Sequence, residues 1–468
     1  MQSSIRGSVG ILGFGVDGQG IAAWLTEKPE VNRIVVFDDT FQDEKMRGVE
    51  DERIVRGNSL EEIDLLFRSP GFPLAHPLII EAQKRGIPIT SSTIEVLKNF
   101  SGITVGITGS NGKTTCTALI EEFLKAEFGE ERVERGGNDG VPRLDLLSSS
   151  ERAEAKASAS ESRGILWNMV SRLVRHGRTR SRKGTFLVLE LSSFQLIDSE
   201  YSPHVAIVLN ITPNHLDWHK DMKEYTEAKR QIVAHQHNFS RATARSAGVE
   251  RPLKTDIAIL NQDDEIVKNF ADGIKSSVHW FTNDIPWDQV RVKSHPDTIR
   301  AAVTAARALQ VSEENILKVL RGFKGVAHRI EFIREIDHVK YYNDSSCTTP
   351  ESAIVACNIS PKGTLILLLG GRDKNMDFTQ MYRSIAEQKV RVVPFGEMGA
   401  TFAKNIPPDL LIENLDRMNF EHTIQNARAA AHAGDSIVLS PACASFDMFK
   451  NAKERGEEFS RIVRNFAL

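Results

Sequence analysis

The amino-acid sequence predicts an α/β protein with three domains, each built on an open and largely parallel sheet. Short apolar runs rich in Val, Ile and Leu recur along the chain with helical stretches between them, which is the alternation of βαβ units. These runs repeatedly end in Gly, Asn, Asp or Glu, as strands do when their carboxyl ends line a ligand site. A length of 468 residues leaves room for several cores.

Composition excludes several classes of protein. The 59 basic and 62 acidic residues give a net charge of −3, so nothing indicates nucleic-acid binding, and small anionic substrates fit better. No apolar run approaches the ~18 residues of a membrane span, and the first residues run directly into a strand without space for a signal peptide. The cysteines lack metal-ligand spacing and suggest reduced thiols. We therefore expect a cytoplasmic protein. The cysteines are Cys116, Cys347, Cys357 and Cys443.

The first predicted domain, residues 1–97, opens with a nucleotide-binding pattern. Residues 8–18 read as a strand, a glycine turn and a helix, and two acids end the next apolar run about 20 residues further on. This pattern predicts a Rossmann-like domain that binds a phosphorylated, ribose-bearing ligand. An NAD-dependent oxidoreductase is the alternative at this point. The glycines are Gly13, Gly15 and Gly18, and the acids are Asp38 and Asp39.

The clearest chemical signal is residues 102–115, where an apolar run is followed by a glycine turn, Lys113 and a helical pattern. Such a turn at a helix N-terminus binds phosphates through backbone N–H groups. Lys113 is expected to reach the β- and γ-phosphates of ATP, and the Thr114 hydroxyl to bind Mg²⁺. Because Ile107 stands where a strict P-loop has its first glycine, a tight strand-to-helix turn that contains a lysine is one alternative, and a P-loop binding or regulatory module is another.

Other predicted strands of the central domain, residues 98–325, also end in polar residues. Glu190 ends the run 185–190, Asn261 follows the run 257–260, and a glycine turn is predicted at 136–140. Residues 205–210 form another strand, and His215 comes shortly after it. Lys229 lies in a predicted helix, and helices at 297–308 and 313–322 finish the domain.

Residues 148–183 interrupt the central domain. The part 148–162 is of low complexity, and the part 163–183 has seven basic residues, no acid and interleaved apolar residues. The second part is typical of a basic amphipathic helix, which we interpret as a surface insertion packed on its own domain. Attachment to an anionic membrane surface or to a partner is the alternative.

The third predicted domain covers residues 326–468. Its strands and turns are expected at 339–348, 364–374 and 435–447, and no internal repeat relates the three domains.

Four stretches together resemble the Mur ligase family: 108–115, 190–195, 328–329 and 343–345. Residues 439–451 with 455–456, and the Ser-Pro-Gly turn at 69–71, resemble the D-glutamate-adding branch of that family. The resemblance covers the chain except for 148–183. It implies a three-domain monomer that uses ATP and two Mg²⁺ ions. The expected reaction adds D-glutamate to UDP-N-acetylmuramoyl-L-alanine through an acyl phosphate.

The resemblance also implies roles for individual residues. A carbamylated Lys229 would be an anionic oxygen donor, which explains how a lysine could bind a cation. The glycine fingerprint would bind UDP instead of NAD.

The resemblance assigns the site residues to five sets. The catalytic set is Lys113, Glu190, His215 and Lys229, and the metal set is Thr114, Glu190, His215 and carbamylated Lys229. The ATP set is Gly109, Ser110, Asn111, Gly112, Lys113, Thr114, Thr115, Asn261, Arg329 and Asp344. The UDP-substrate set is Gly13, Gly15, Gly18, Asp38, Asp39, Ser69, Asn138 and Ser192. The D-glutamate set is Thr348, Lys374, Ser445 and Phe446.

Two positions depart from the pattern of the branch. Ser346 stands where a lysine is common, and Ala452 where an aromatic residue is common, so the amino-acid pocket is less defined than the ATP site. Another amino-acid ligase of the family, or a folylpolyglutamate synthase, therefore remains an alternative.

Overall fold

A computed structural model of the chain describes residues 5–38, 51–137, 144, 185–216, 218–237, 255–290, 294–373 and 376–466. Within these ranges the strands form three sheets with helices between them, and nearly all strand pairs are parallel. The predicted α/β class with open parallel sheets is confirmed. The predicted insertion at 148–183 lies outside the described residues.

Sheet 1 has the strand order β3-β2-β1-β4-β5, with every pair parallel. This is the order in which a dinucleotide-binding sheet begins, so the Rossmann-like prediction agrees with the topology. The carboxyl ends of β1, the central strand, and of its neighbour β4 carry the predicted glycine turn and Ser-Pro-Gly turn. The elements are β1 (Gly7–Leu12), α1 (Val16–Thr26), β2 (Val31–Phe37), β3 (Ile54–Arg56), β4 (Leu65–Arg68), α2 (Pro77–Arg85), β5 (Ile89–Thr90) and α3 (Ser92–Asn99).

Sheet 2 has the order β11-β10-β9-β6-β8-β7, again with every pair parallel. Its strand β6 is buried along its whole length between β8 and β9, as expected for a strand covered by helices on both faces. The loop after β6 therefore emerges at the middle of the carboxyl edge. The elements are β6 (Ile103–Thr108), α4 (Lys113–Phe128), β7 (Val133–Gly137), β8 (Phe186–Glu190), α5 (Ser193–Leu196), β9 (Val205–Val208), α6 (Met222–Ala234), β10 (Ile257–Leu260), α7 (Glu265–Lys268) and β11 (Ser277–Trp280).

The prediction of a glycine turn at 136–140 is wrong for its first two residues. Gly136 and Gly137 end strand β7 and pair with Leu189 and Glu190 of β8; the remaining three residues lie outside the described part of the chain. The helices predicted near 297–308 and 313–322 are confirmed as α8 (Pro296–Ala308) and α9 (Glu313–Gly322).

Sheet 3 has the order β12-β13-β16-β14-β15, in which only the β12–β13 pair is antiparallel. Apolar clusters pack on both of its faces, which buries β14 completely. The elements are β12 (Glu331–Ile336), β13 (Val339–Asn343), α10 (Pro350–Ala356), β14 (Leu365–Gly370), α11 (Thr379–Gln388), β15 (Arg391–Phe395), α12 (Gly399–Asn405), α13 (Phe420–Ala430), β16 (Ser436–Ala442) and α14 (Ala452–Asn465).

The chain divides into two compact units. The first, Met1–Ile285 with Arg300–Ile316, contains sheets 1 and 2, and the second, Pro286–Ile299 with Leu317–Leu468, contains sheet 3. In the first unit one apolar cluster includes residues from the helices and strands of both sheets, such as Phe67 and Leu196. The domain boundaries near 97 and 325 stay predictions. No helix in the described part of the chain is long and apolar enough to cross a membrane.

Candidate active site

The loop between β6 and α4 takes its shape from the segment that follows β9. The Ser110 N–H donates to the Asn210 carbonyl at 2.8 Å, and the Asn111 N–H donates to Asn210 Oδ1 at 2.9 Å. Ser110 Oγ donates to the Thr212 carbonyl at 3.0 Å and lies 2.9 Å from the Tyr225 hydroxyl. Contacts to the segment after β9 and to α6 thus hold the loop in one conformation.

The N-terminus of α4 is built to receive an anion. Gly112 is its N-cap with φ 84°, in the left-handed region that glycine adopts without strain, and no described side chain caps this end. Lys113 Nζ donates to the carbonyls of Gly109 and Ser110 at 2.9 and 3.1 Å, so its ammonium lies over the loop. Thr114 and Thr115 are half-buried in the first turn. A cation, hydroxyls and helix N–H groups together suit phosphate oxygens.

Lys229 approaches the same loop from inside the protein. Its side chain on α6 is fully buried, and Nζ donates to the Gly109 carbonyl at 2.9 Å and to Thr108 Oγ1 at 3.4 Å. Burial lowers the pKa of Lys229 well below its usual value, and the positive charge of Lys113 lowers the pKa further, whereas Glu190 opposes both. The structure therefore brings Lys113, Glu190 and Lys229 into one electrostatic cluster.

Glu190 ends β8 and His215 follows β9, the two strands that flank β6 in sheet 2. Glu190 is the buried last residue of β8 and pairs with Ile107 of β6. His215 has φ 55°, and its ring lies 4.8 Å from the ring of Phe194, four residues after Glu190. The His215 carbonyl accepts from the N–H of His219 at 2.9 Å. This bond helps to hold the histidine in a backbone conformation that non-glycine residues rarely adopt.

The donor set fits a magnesium ion that arrives with a nucleotide. Among the described residues no group of three or more His, Cys, Asp or Glu side chains forms a metal centre by itself. Mg²⁺ is commonly held by only one or two carboxylates together with substrate phosphates. Glu190 offers the carboxylate and Thr114 a hydroxyl, both of which are hard oxygen donors.

The predicted UDP site lies at the carboxyl edge of sheet 1. Gly13 and Gly15 lie in the turn between β1 and α1, and Gly18 lies in the first turn of α1. Asp38 Oδ2 accepts from the Phe14 N–H at 2.7 Å, and Ser69 Oγ donates to the Gly13 carbonyl at 3.2 Å. The structure therefore gathers these residues around one turn. Asp39 and Asn138 lie outside the described residues.

Ser192 has a local structural role. It is the N-cap of α5, where its hydroxyl accepts from the Gln195 N–H and its own N–H donates to Gln195 Oε1. This capping box fixes the turn directly after Glu190. Asn261 also has local bonds, since its Nδ2 donates to the Leu209 carbonyl at 2.9 Å.

In the second unit, Asp344 is buried directly after β13. Its carboxylate accepts from Ser440 Oγ at 2.7 Å and from the Ile330 N–H at 3.2 Å. Burial raises the pKa of Asp344 to about 6, although Ser440 and the charge of Arg329 act in the other direction. Arg329 Nη1 donates to the Ser346 carbonyl at 3.3 Å. The predicted pair Arg329 and Asp344 is therefore close in space.

The predicted D-glutamate residues lie in several settings within this unit. Ser445 is buried after β16, whereas Phe446 keeps 59% of its surface exposed. Thr348 is half-buried shortly before α10, and Lys374 lies outside the described residues.

Sequence reasoning missed two residues that support the site. Tyr225 joins Ser110 to the helix that carries Lys229, and its ring lies 4.8 Å from Lys229 Nζ. The spacing of four between Tyr225 and Lys229 places both on one helix face and could have revealed it. Arg68 is fully buried and paired with Asp198, and nothing in the sequence indicated that pairing.

The fold and this loop define a nucleotide-binding α/β protein with a phosphate-binding loop on its middle sheet. The family model described as the Mur ligase middle domain matches residues 107–307. A UDP-N-acetylmuramoylalanine--D-glutamate ligase of Clostridium acetobutylicum is 33% identical over 87% of this chain and 84% of its own. One of Natranaerobius thermophilus is 31% identical over 98% of both chains. The chain belongs to the Mur ligase family, as the sequence predicted.

Solved structures agree on the fold. A MurF ligase of Thermotoga maritima in complex with ADP superposes with a TM-score of 0.54 at 18% identity, over all of this chain and 97% of that one. The E. coli protein FolC in complex with DHPP and ADP gives 0.53 at 14% identity, over 80% and 93% of the two chains. Membership of a ligase family replaces the oxidoreductase alternative.

Proposed function

We propose that this protein is an ATP-dependent ligase that joins D-glutamate to UDP-N-acetylmuramoyl-L-alanine and releases ADP and phosphate. Family membership supports the ligase class. The names of the two relatives support D-glutamate as the amino acid and UDP-N-acetylmuramoyl-L-alanine as the molecule that receives it, here called the acceptor. The observation that carries the proposal is the contact of both Lys113 and Lys229 with the Gly109 carbonyl in the phosphate loop. A binding module has no need for a second, buried lysine there.

The reaction needs charge neutralisation before it needs anything else. The acceptor carboxylate attacks the γ-phosphate of ATP to give an acyl phosphate and ADP, and the D-glutamate amine then displaces phosphate to form the amide. Two anions meet in the first step, so cationic and dipolar groups must hold both. Lys113 and the N-terminus of α4 would hold the phosphates of ATP. The turn of Gly109, Ser110, Asn111 and Gly112, with Thr115, would supply further donors.

Magnesium, when bound, would supply the remaining positive charge at the phosphates of ATP. We propose Glu190 and Thr114 as protein donors at one site, and His215 with a carbamylated Lys229 at the second. The Lys229 amine supports this assignment, since its burial favours the neutral form and only a neutral amine adds to CO₂. The nitrogen bonds to the carbon of CO₂ as one C–O π bond opens, the amine releases one proton, and the product is an anionic carbamate.

The remaining residues are proposed from the family resemblance. Arg329, Asp344 and Asn261 are each proposed as nucleotide-binding residues, and the glycine turn of sheet 1 with Asp38 and Ser69 would bind the UDP end of the acceptor. The D-glutamate set would be Thr348, Lys374, Ser445 and Phe446. We expect a monomer that acts on small molecules in the cytoplasm, where both ATP and the UDP-linked acceptor are available.

Phosphate release tests the proposed function. The full chain is incubated with UDP-N-acetylmuramoyl-L-alanine, ATP and Mg²⁺, and D-Glu, L-Glu, L-Ala or meso-diaminopimelate is added singly. Release with D-Glu alone is the expected result. Release with a different amino acid would keep the ligase mechanism but overturn the proposed specificity, and no release with any of them would overturn the ligase itself.

A further inference from the structure

One fully buried arginine joins the two sheets of the first unit. Arg68 is the last residue of β4, and its side chain is completely shielded from solvent. Its Nε donates to Asp198 Oδ2 at 2.7 Å and its Nη2 donates to Asp198 Oδ1 at 2.6 Å. Asp198 comes just after α5, the helix that follows β8 of sheet 2, and is 130 residues further along the chain. A two-pronged pair of this kind fixes the orientation of its partners as well as their distance.

The same guanidinium also binds two turns of the candidate site. Nη1 donates to the Phe72 carbonyl at 3.1 Å, in the turn that follows Ser69. Nη2 donates to the Phe194 carbonyl at 2.9 Å, in α5, the single helical turn that follows Glu190. The guanidinium is planar and its donors are rigid. These bonds therefore hold the end of β4, the turn at Phe72 and the helix α5 in one geometry.

Each of these turns contacts a residue with a proposed role. On one side, Ser69 Oγ donates to the Gly13 carbonyl, and the Gly71 carbonyl accepts from Trp218 Nε1 at 3.3 Å. On the other side, the Phe194 ring packs against the His215 ring at 4.8 Å. A single residue, Phe194, therefore links Arg68 to the proposed metal ligand His215. On the other side, Ser69 directly follows Arg68 and contacts the proposed UDP-binding turn.

We propose that Arg68 is a positioning residue for the ligase reaction, which aligns the turn that binds the UDP-linked acceptor with the turn that leads to the metal ligands. The inference rests on the proposed function, because it assigns a substrate to each turn. Arg68 acts through Phe72, Phe194 and Asp198 instead of touching a substrate. Its loss should misplace the acceptor carboxylate while the ATP loop, which it does not contact, keeps its shape.

Arg53 offers a matched control in the same unit. It pairs with Asp51 at 2.7 Å and donates to the carbonyls of Lys28 and Val31 at 3.1 and 2.7 Å. Arg53→Met thus removes the same kind of side chain and the same kinds of bonds as Arg68→Met. The partners of Arg53 have no proposed role in the site.

The test compares the KM values for acceptor and for ATP, with kcat, in steady-state phosphate release. Arg68→Met should raise the KM for UDP-N-acetylmuramoyl-L-alanine by roughly 10- to 100-fold and lower kcat, since small misplacements cost this much. The KM for ATP should change much less. Arg68→Lys should be intermediate, because an ammonium keeps the charge without the planar fork. Arg53→Met should leave both KM values near the wild type.

The double variant Arg68→Met with Asp198→Asn separates positioning from folding. It leaves no lone charge in the interior, so its melting temperature should exceed that of Arg68→Met while its acceptor KM stays high. It also carries the test if Arg68→Met does not fold. Equal rises in both KM values, effects that Arg53→Met reproduces, or a normal acceptor KM in the double variant would overturn the inference. Failure of the proposed function would show earlier, as wild-type protein without D-Glu-dependent release.

Discussion

Lys229 Nζ donates to the carbonyl oxygen of Gly109 at 2.9 Å, the same oxygen that accepts from Lys113 Nζ at 2.9 Å. Two ammonium groups that share one carbonyl oxygen repel each other. Lys229 is the buried one of the two, so its charged form is the less favourable. Its pKa is lowered first by burial and then by Lys113. Burial therefore favours the neutral amine of Lys229, and the proposed carbamylation would convert that amine into an anionic oxygen donor for a metal ion without a change of residue.

Replacing Lys229 by alanine should abolish most of the turnover. We expect a loss on the order of 100-fold or more, as when a metal ligand or its support is removed, and partial recovery when acetate or formate is added to the assay. The added carboxylate would take the place of the carbamate oxygens. Lys125→Ala is the control, since Lys125 lies on the neighbouring helix α4 in an ion pair with Glu121. A Lys229→Ala enzyme with normal phosphate release would contradict the carbamate.

Gly137 should be intolerant of alanine because it lies against Glu190. Its φ is +106°, and a Cβ there would collide with the Glu190 carbonyl oxygen. Strained backbone of this kind costs about 1–3 kcal/mol, and the collision would also move the carboxylate proposed to bind Mg²⁺. We expect Gly137→Ala to lower the melting temperature and to raise the Mg²⁺ concentration needed for half-maximal rate.

Gly86→Ala provides the comparison for that variant. Gly86 ends α2 with φ +69° and has open space around the Cβ position. It should share the cost of the left-handed backbone but keep the magnesium dependence of the wild type. Identical magnesium titrations for the two variants would argue against a metal-binding role for Glu190.

Apolar runs predicted the strands that are buried on both faces and missed several at the sheet edges. Strand β6 is a continuous run of apolar and β-branched residues and reads as a strand from sequence alone. Strand β7 ends in two glycines, a pattern that more often marks a turn. Strand β15 contains Pro394, which is tolerated there because β15 is at the edge of sheet 3.

The candidate site was predictable where its residues belong to local motifs. Glu190 ends strand β8, and Lys113 follows the short loop after β6, so their spacing along the sequence places both at a carboxyl edge. The contacts of Arg68 with Asp198 and of Ser110 with Tyr225 span 130 and 115 residues. Such pairs depend on which segments become neighbours in the folded chain, and no local pattern encodes that.

Removing the Tyr225 hydroxyl should loosen the phosphate loop without disturbing the core. Tyr225→Phe keeps the buried ring but loses the oxygen 2.9 Å from Ser110 Oγ. One lost hydrogen bond of about 1 kcal/mol corresponds to a several-fold rise in the KM for ATP. Tyr382→Phe is the matched control, since the ring of Tyr382 packs against Phe402 on α12. Equal KM values for ATP in both variants would show that the hydroxyl does not support the loop.

The buried carboxyl of Asp344 should make the free energy of unfolding depend on pH between pH 4 and 6. Its pKa is about 6 in the folded protein because of burial, whereas an unfolded chain titrates this group near 3.9. Between these values the folded state binds more protons than the unfolded state, so the contribution of Asp344 to stability falls as pH rises through the window.

Asp344→Asn removes that titration while keeping the size of the side chain. Melting temperatures are measured from pH 4 to 7. The melting temperature of the wild type should rise relative to that of the variant as the pH is lowered from about 6 to about 4. If Asp344 also binds the nucleotide as a carboxylate, the KM for ATP of the wild type should rise below pH 6, and that of the variant should be high at every pH. A constant difference in melting temperature between wild type and variant across this pH range would mean that Asp344 ionises normally in the folded protein. The cost of burying its charge would then be offset by more than the hydrogen bonds from Ser440 and Ile330.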